Sequence, residues 1–195
     1  NTSGIGVFDH DLKIGGSSAR PGDKVLINGT IGDHGMAVLA SREGLELESD
    51  ICTDSAALNG LVAKLLETFG GSIHVLRDPT RGGVATTLKE IAQQSGVDIC
   101  LQEADLPVDE TVAGACAILG LDPLFVANEG KMLVIVAPGQ ADEVLAVMRQ
   151  HLTGKQSAMI GEVVEKSAGR VMMRTAIGGL RAIEMLAGEQ LPRIC

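Results

Sequence analysis

Three glycine-rich turns constrain the fold of this chain more than any other feature. They occupy residues 32–35, 78–83 and 128–131, and each adjoins a short run of apolar, often β-branched residues. Runs of that length and composition predict buried strands. Helical patterns follow the first two turns, so the sequence predicts strand–turn–helix units, with Asp33 as a candidate N-cap of the first helix.

The remaining pattern mixes helices with strands. Apolar stripes at helical spacing predict helices at 36–42, 56–69, 84–94, 109–119 and 140–152, and strands are predicted at 24–28, 73–77, 97–101 and 132–137. Segments 160–164 and 170–174 are predicted to close the sheet as an adjacent pair, and 183–186 to form only a turn. The expected class is α+β, a mixed β-sheet packed with helices.

Composition limits the possible functions. The chain has a net charge of −9, three Phe and no Tyr or Trp, which disfavours phosphate-backbone binding and base stacking, so no nucleic acid partner is expected. No apolar run reaches the roughly 20 residues that span a bilayer, so no membrane partner is expected. The four cysteines lack C-x-x-C spacing, which predicts no zinc site and a reduced, cytoplasmic protein.

The last eight residues, 188–195, end in Cys195. Pro192 disfavours a helical continuation, so the tail is predicted to be an extended arm that carries a thiol at its tip. A frayed terminus that happens to end in cysteine is the alternative interpretation of the tail alone.

The turns themselves suggest anion binding. Glycines at a helix start let backbone N–H groups approach an anion, and Arg81 could clamp a phosphate or a carboxylate. Neither a P-loop nor a G-x-G-x-x-G pattern is present. A structural alternative stays open, in which Asp33 and Asp78 cap helices and Arg81 pairs with Asp78.

The third turn favours proton transfer. Glu129 lies near Lys131 at the mouth of an apolar strand, where a carboxylate can act as a general base. His34 is a candidate base, ligand or partner of Asp33. The other histidines are interpreted as incidental.

Five segments together resemble the HypE family of hydrogenase maturation factors, the carbamoyl dehydratases. They are residues 32–35, 78–84, 127–131, 160–163 and the terminal Pro-Arg-Ile-Cys of 192–195. The wider superfamily includes aminoimidazole ribonucleotide synthetase, selenophosphate synthetase and thiamine-phosphate kinase. The resemblance therefore implies the fold of the C-terminal domain of aminoimidazole ribonucleotide synthetase.

The resemblance implies that Cys195 is carbamoylated by the carbamoyltransferase HypF. ATP, with Mg²⁺, would then drive dehydration of the S-carboxamide to a thiocyanate. The cyano group would pass to iron on a HypC–HypD scaffold for the [NiFe] centre. Glu129 is the expected base, with Lys131 and Arg81 as electrostatic support. Residues expected near the nucleotide or phosphate are Asp33, His34, Asp78, Gly82 and Gly83.

The resemblance also predicts the domain organisation. Residues 1–20 are expected to be the last strand and linker of an N-terminal ATP-binding domain, 21–187 the C-terminal α+β domain, and 188–195 the tail. Because paired N-terminal domains form the dimer and most of the ATP site in this superfamily, the 195-residue chain alone is expected to be almost inactive as an ATPase. Another synthetase or kinase of the superfamily and a non-catalytic group carrier remain as alternatives.

Overall fold

The computed structural model describes residues 5, 7, 10–43 and 51–185, which form a mixed seven-stranded sheet covered by helices. The strands are Lys24–Ile27 (β1), Ile73–Arg77 (β2), Val97–Gln102 (β3), Leu133–Val136 (β4), Ala158–Lys166 (β5), Val171–Arg174 (β6) and Leu180–Ile183 (β7). The helices are Asp33–Glu43 (α1), Asn59–Phe69 (α2), Gly83–Ser95 (α3), Glu110–Leu119 (α4) and Ala141–Gln150 (α5).

The strands lie in the order β2-β4-β1-β5-β3-β6-β7. The neighbouring strands are antiparallel except for β3 and β6, which run parallel. This mixed sheet confirms the predicted α+β class. Among the described residues, no helix is both long and apolar enough to cross a membrane.

Both faces of the sheet are buried, and β4 shows why its sequence lacks an alternating polar pattern. Leu133 and Ile135 pack into the core on the α3 side, whereas Val134 and Val136 pack into the core that α2 and α5 cover. Successive side chains of a strand point to opposite faces, so a strand that is covered on both sides must be apolar throughout. A third cluster joins α1 to α4 through Met36 and Val112.

Local signals predicted most of the elements well. Strand β2 has the predicted bounds, and α2, α3 and α4 end before Gly70, Gly96 and Gly120 as the glycine positions indicated. Gly96 and Gly120 adopt the left-handed conformation that favours glycine at a helix C-terminus.

The predicted pairing of the last two strands was wrong, because β3 lies between β5 and β6. The fully buried Asp98 of β3 accepts hydrogen bonds from the backbone N–H and the guanidinium of Arg170, both at 2.8 Å. These contacts place the start of β6 beside β3. The segment predicted as a turn at 183–186 contains the end of a further strand, β7, whose side chains are exposed except for Ile183.

Both capping alternatives were also wrong. Asp33 is the first residue of α1, and its carboxylate accepts a hydrogen bond from the Thr30 hydroxyl. The N-cap of α3 is Gly82 in the left-handed region, and it leaves no capping role to Asp78. Residues 1–4, 6, 8 and 9 of the predicted strand and linker at 1–20, and the tail at 188–195, lie outside the described residues.

Candidate active site

The three glycine-rich turns meet at the side chain of Asn128, which is fully buried. Its carbonyl oxygen accepts a hydrogen bond from the Gly32 N–H at 2.8 Å. Its NH₂ group donates to the carbonyl of Pro79 and to the carbonyl of Val126, each at 3.0 Å. One amide therefore links the third turn to the first and the second, and all of its hydrogen-bonding groups are used apart from one lone pair.

Backbone contacts strengthen this junction. The Gly35 N–H donates to Ala127 at 3.0 Å, and the Asn128 N–H donates to Pro79 at 3.3 Å. Gly83 has φ +61°, and a Cβ there would lie 2.5 Å from the carbonyl oxygen of Leu124. A side chain at this position would be both strained and too close to the backbone, which explains the glycine at the start of α3.

A second buried asparagine supports the third turn from the end of β1. The Asn28 NH₂ group donates to the Gly130 carbonyl at 3.1 Å and to the Thr153 carbonyl at 2.8 Å. Its carbonyl oxygen accepts from the Met132 N–H at 2.6 Å. The turn is thereby held between the ends of β1 and β4.

Lys131 lies in a buried ion-pair cluster with two carboxylates. Its ammonium is 2.9 Å from Asp54 Oδ2 and 3.6 Å from Asp33 Oδ2, and its side chain is only 10% exposed. The Asp54 side chain is 3% exposed, and its Oδ2 contacts the ammonium as an ion pair without accepting a hydrogen bond within the described residues. Burial in such a cluster requires charge compensation, which the three groups give one another.

Glu129 is half-buried beside this cluster. Its backbone N–H donates to Asp54 Oδ1 at 3.1 Å. His34, on the first turn of α1, contacts the Thr53 hydroxyl through Nδ1 at 2.8 Å. The structure thus brings Asp33, Lys131 and the backbone of Glu129 together around Asp54, and the adjacent Thr53 contacts His34.

The second turn contributes its backbone to the junction. Thr80 donates to the Asp78 carboxylate at 3.1 Å, and Arg77, the last residue of β2, lies 3.9 Å from it, so the described contacts of Asp78 are with near neighbours in sequence. Arg81 is exposed and immediately precedes Gly82 and Gly83, which both have left-handed backbone conformations. The predicted Arg81–Asp78 pair is not among the described ion pairs of Asp78.

A cleft of about 190 Å³ opens next to the cluster. Its lining residues are mostly polar: Thr30, Asp33, Ile51, Cys52, Asp109, Thr111, Val112 and Gln156. Ligand pockets usually enclose roughly 300–1,000 Å³, so this cleft is smaller than a usual ligand pocket. It can accept a small polar group.

The described residues do not by themselves fit a Mg²⁺–triphosphate site. Lys131, the buried cation at the junction, already faces two carboxylates, and the cleft adds the acidic Asp109. Within residues 10–43 and 51–185, no group of three or more His, Cys, Asp or Glu side chains is arranged to hold a metal ion. At the starts of α1 and α3, the N–H groups of Gly35 and Gly83 already donate to backbone carbonyls, so only part of each helix N-terminus is left for a phosphate or another small anion.

Sequence reasoning missed Asp54 and the role of both asparagines. Asp54 lies outside every predicted helix, strand and turn, and Asn128 is only the first residue of the third turn. A buried asparagine that forms hydrogen bonds with backbone groups of distant turns leaves no repeating pattern in the sequence. The available signal was the polar residue at the exact end of an apolar strand, as at Asn28 after β1.

Comparison with known proteins supports the resemblance over the whole chain. Residues 20–174 match the family model for the C-terminal domain of AIR synthase related proteins. The carbamoyl dehydratase HypE of Cupriavidus necator is 54% identical over 194 residues, a match that covers 100% of this chain and 55% of that protein. The chain therefore spans about half the length of the curated relatives it matches.

Solved structures agree in fold. A hydrogenase maturation protein HypE in complex with ATP superposes with a TM-score of 0.87 at 50% identity, covering 93% of this chain and 55% of that one. A HypE–HypF complex gives a TM-score of 0.85 at 47% identity, covering 89% and 56%. The chain therefore belongs to the family of AIR synthase related proteins, whose C-terminal domain it contains, and its resemblance to the HypE carbamoyl dehydratases is confirmed.

Proposed function

We propose that this chain is the C-terminal part of an ATP-dependent carbamoyl dehydratase that serves [NiFe] hydrogenase maturation. The observation that carries the proposal is the convergence of the three turns on Asn128, with Glu129 held beside the junction. The relatives' names supply the reaction class, since chains about half identical to this one are carbamoyl dehydratases.

The proposed substrate is an S-carboxamide on Cys195. ATP transfers its γ-phosphoryl group to the carboxamide oxygen while the nitrogen releases one of its two protons to solvent, giving ADP and an O-phosphorylated imidate. Cleavage of the C–O bond then releases phosphate, and loss of the remaining N–H proton leaves a thiocyanate. Phosphorylation is needed because an amide oxygen is a poor leaving group, and the elimination needs a base near the nitrogen.

Glu129 is the proposed base. It is half-buried, next to backbone N–H groups that Asp54 anchors, so its backbone is held while its side chain retains access to solvent or substrate. Electrostatic support from Arg81 stays a prediction. The charge of Lys131 is offset by Asp33 and Asp54, which favours a role in organising the turn over direct stabilisation of phosphate.

The remaining assignments come from the resemblance. HypF is the proposed carbamoyl donor enzyme, in line with a solved HypE–HypF complex of a relative. A HypC–HypD scaffold is the proposed acceptor of the cyano group, and a homodimer the proposed assembly, with a cytoplasmic location. ATP and Mg²⁺ are proposed to bind mainly to residues beyond this C-terminal domain, so the 195-residue chain alone should show almost no ATP turnover.

Intact-mass analysis of the longer protein that contains this chain tests the proposal. After incubation with HypF, carbamoyl phosphate and ATP, the wild type should gain one carboxamide and then lose water. Glu129→Gln should accumulate the carboxamide, because removing a general base typically slows a step by roughly 100- to 10,000-fold. Glu143→Gln, the same change at an exposed position of α5, is the matched control and should dehydrate normally.

Two further variants locate the substrate. Cys195→Ala should show neither mass change. An adduct on Cys52, Cys100 or Cys116 would refute the assignment of the acceptor, and normal dehydration in Glu129→Gln would remove its role as base.

A further inference from the structure

Asp54 lies in an exposed segment but turns its carboxylate inward. Residues 51–58 form neither helix nor strand, and Cys52, Thr53, Ser55 and Ala56 around it are exposed. The Asp54 side chain nevertheless is 3% exposed. An aspartate is rarely buried unless its charge is compensated, so its position calls for an explanation.

The carboxylate contacts three consecutive residues of the third turn. Oδ1 accepts the N–H groups of Glu129 at 3.1 Å and Gly130 at 3.4 Å, and Oδ2 faces the Lys131 ammonium at 2.9 Å. Hydrogen bonds to an ionised acceptor are about twice as strong as neutral ones. A single side chain therefore determines the backbone path on both sides of Glu129.

The backbone of the same segment also packs directly on this turn. A Cβ at position 130 would lie 1.8 Å from the carbonyl oxygen of Asp54 and 2.9 Å from the nitrogen of Ala56. Gly130 is therefore needed for segment 51–56 to approach so closely. Contact through both side chain and backbone makes Asp54 and the Glu129 turn one structural unit.

We infer that Asp54 is a positioning residue. It fixes the backbone of Glu129 so that the Glu129 carboxylate can act as the base, and it affects the dehydration rate only through Glu129. This inference rests on the proposed function of Glu129 as the base. In the Asp54→Asn variant, either orientation of the amide places an NH₂ group against another donor, either the Lys131 ammonium or the two backbone N–H groups. The turn should then shift, and a displacement of about 1 Å at a reacting group can slow a reaction by about 100-fold.

A double-mutant cycle in the longer protein tests this coupling. Single-turnover dehydration of the carbamoylated cysteine is followed by mass for the wild type, Asp54→Asn, Glu129→Gln and the double variant. Asp54→Asn should slow dehydration by about 10- to 100-fold and leave formation of the carboxamide unchanged. In the Glu129→Gln background, Asp54→Asn should cause no further loss.

A local measurement gives a readout that does not depend on activity. Hydrogen exchange at Glu129 and Gly130 should accelerate by about tenfold or more in Asp54→Ala, since each N–H loses a charge-assisted bond. Exchange in β4, at Leu133–Val136, should stay protected and serves as the internal folding control. Asp142→Asn at an exposed site of α5 is the matched variant and should alter neither exchange nor dehydration.

The outcomes separate the two proposals. The positioning role of Asp54 would be overturned if the two substitutions slowed dehydration by independent factors that multiply in the double variant. It would also be overturned if hydrogen exchange at Glu129 and Gly130 were unchanged in Asp54→Ala. If β4 also loses protection in Asp54→Ala, that variant is destabilised as a whole. Hydrogen exchange at Glu129 and Gly130 is then compared between the wild type and Asp54→Asn instead. Normal dehydration in Glu129→Gln would instead overturn the proposed base, whereas faster exchange at Glu129 in Asp54→Ala would still establish that Asp54 orders the turn.

Discussion

Asn128 accepts a hydrogen bond from the Gly32 N–H at 2.8 Å, across 96 positions of sequence. With its donor bonds to Pro79 and Val126, this contact makes one buried amide the link between three loops. The first two loops follow β1 and β2 and the third precedes β4, so the position of each depends on the sheet and on this amide.

Asn128→Asp should destabilise the chain more than its small change in size suggests. The variant keeps the acceptor for Gly32, but it places a carboxylate oxygen against the carbonyls of Pro79 and Val126. Val126 then loses its described donor, and Pro79 keeps only the backbone N–H of residue 128 at 3.3 Å. Each unsatisfied buried group typically costs about 1–3 kcal/mol. Urea unfolding at pH 7 measures the loss, and a free energy of unfolding equal to that of the wild type would contradict the role of Asn128.

Asp98 should make the stability of the chain pH-dependent in the acidic range. Burial by itself raises the pKa of Asp98, but hydrogen bonds from the Arg170 side chain and backbone outweigh this effect and leave the pKa lowered. A carboxyl whose folded pKa lies below its unfolded value, about 3.9, stabilises the fold above that pH. The contribution is lost as the pH falls through the folded pKa.

Asp98→Asn should therefore cost about 1–3 kcal/mol at pH 7, and less as the pH falls below about 4. Urea unfolding of both proteins between pH 7 and pH 2 gives the difference. Asp142→Asn, which is exposed on α5, should show little difference at any pH. A cost for Asp98→Asn that stayed constant down to pH 2 would contradict the assigned pKa direction.

Gly130→Ala and Gly114→Ala should have opposite effects on stability. A Cβ at position 130 meets the backbone of Asp54 at 1.8 Å, so segment 51–56 must move, and overpacking of this kind typically costs about 1–3 kcal/mol. A Cβ at position 114, inside α4, meets nothing within 4 Å, and alanine there should stabilise the helix by roughly 0.5–1 kcal/mol. Thermal unfolding compares the two variants. Equal effects would show that segment 51–56 does not pack against the turn.

Cysteine labelling should distinguish buried from accessible thiols. Burial, aided by the nearby Asp122 carboxylate, raises the pKa of Cys116 to about 11. At pH 8 only about a thousandth of that thiol is ionised, and it is the thiolate that reacts. Iodoacetamide should therefore modify the exposed Cys52 and spare Cys116 in the native chain, as read by peptide mass. Equal modification of Cys52 and Cys116 in the folded protein would contradict the burial of Cys116.

The same labelling bears on the acceptor thiol. Cys100 and Cys116 are buried, so an adduct formed by a partner enzyme on the folded chain should fall on neither. Cys52 lines the cleft next to Asp33 and is the relevant control for Cys195.

Sequence patterns predicted much of the fold because the signals are local. The apolar stripes and terminal glycines of α2, α3 and α4, and the apolar run of β4, depend on residues a few positions apart. The position of β3 between β5 and β6 could not be read in this way, since it depends on Asp98 contacting Arg170, 72 positions away. Strand β7 was missed because only Ile183 of its four residues is buried.

For the candidate site, the sequence by itself determined the three turns, the choice of Glu129 as base and the resemblance to HypE, because glycines and charged residues at strand ends are visible as motifs. Only the tertiary structure decided that the turns meet at Asn128, that Lys131 faces Asp33 and Asp54, and that Asp54 holds the backbone of Glu129. The physical reason is that a buried polar group must be satisfied by whichever partner the fold brings within about 3 Å, and those partners lie 49 to 98 positions away along the chain.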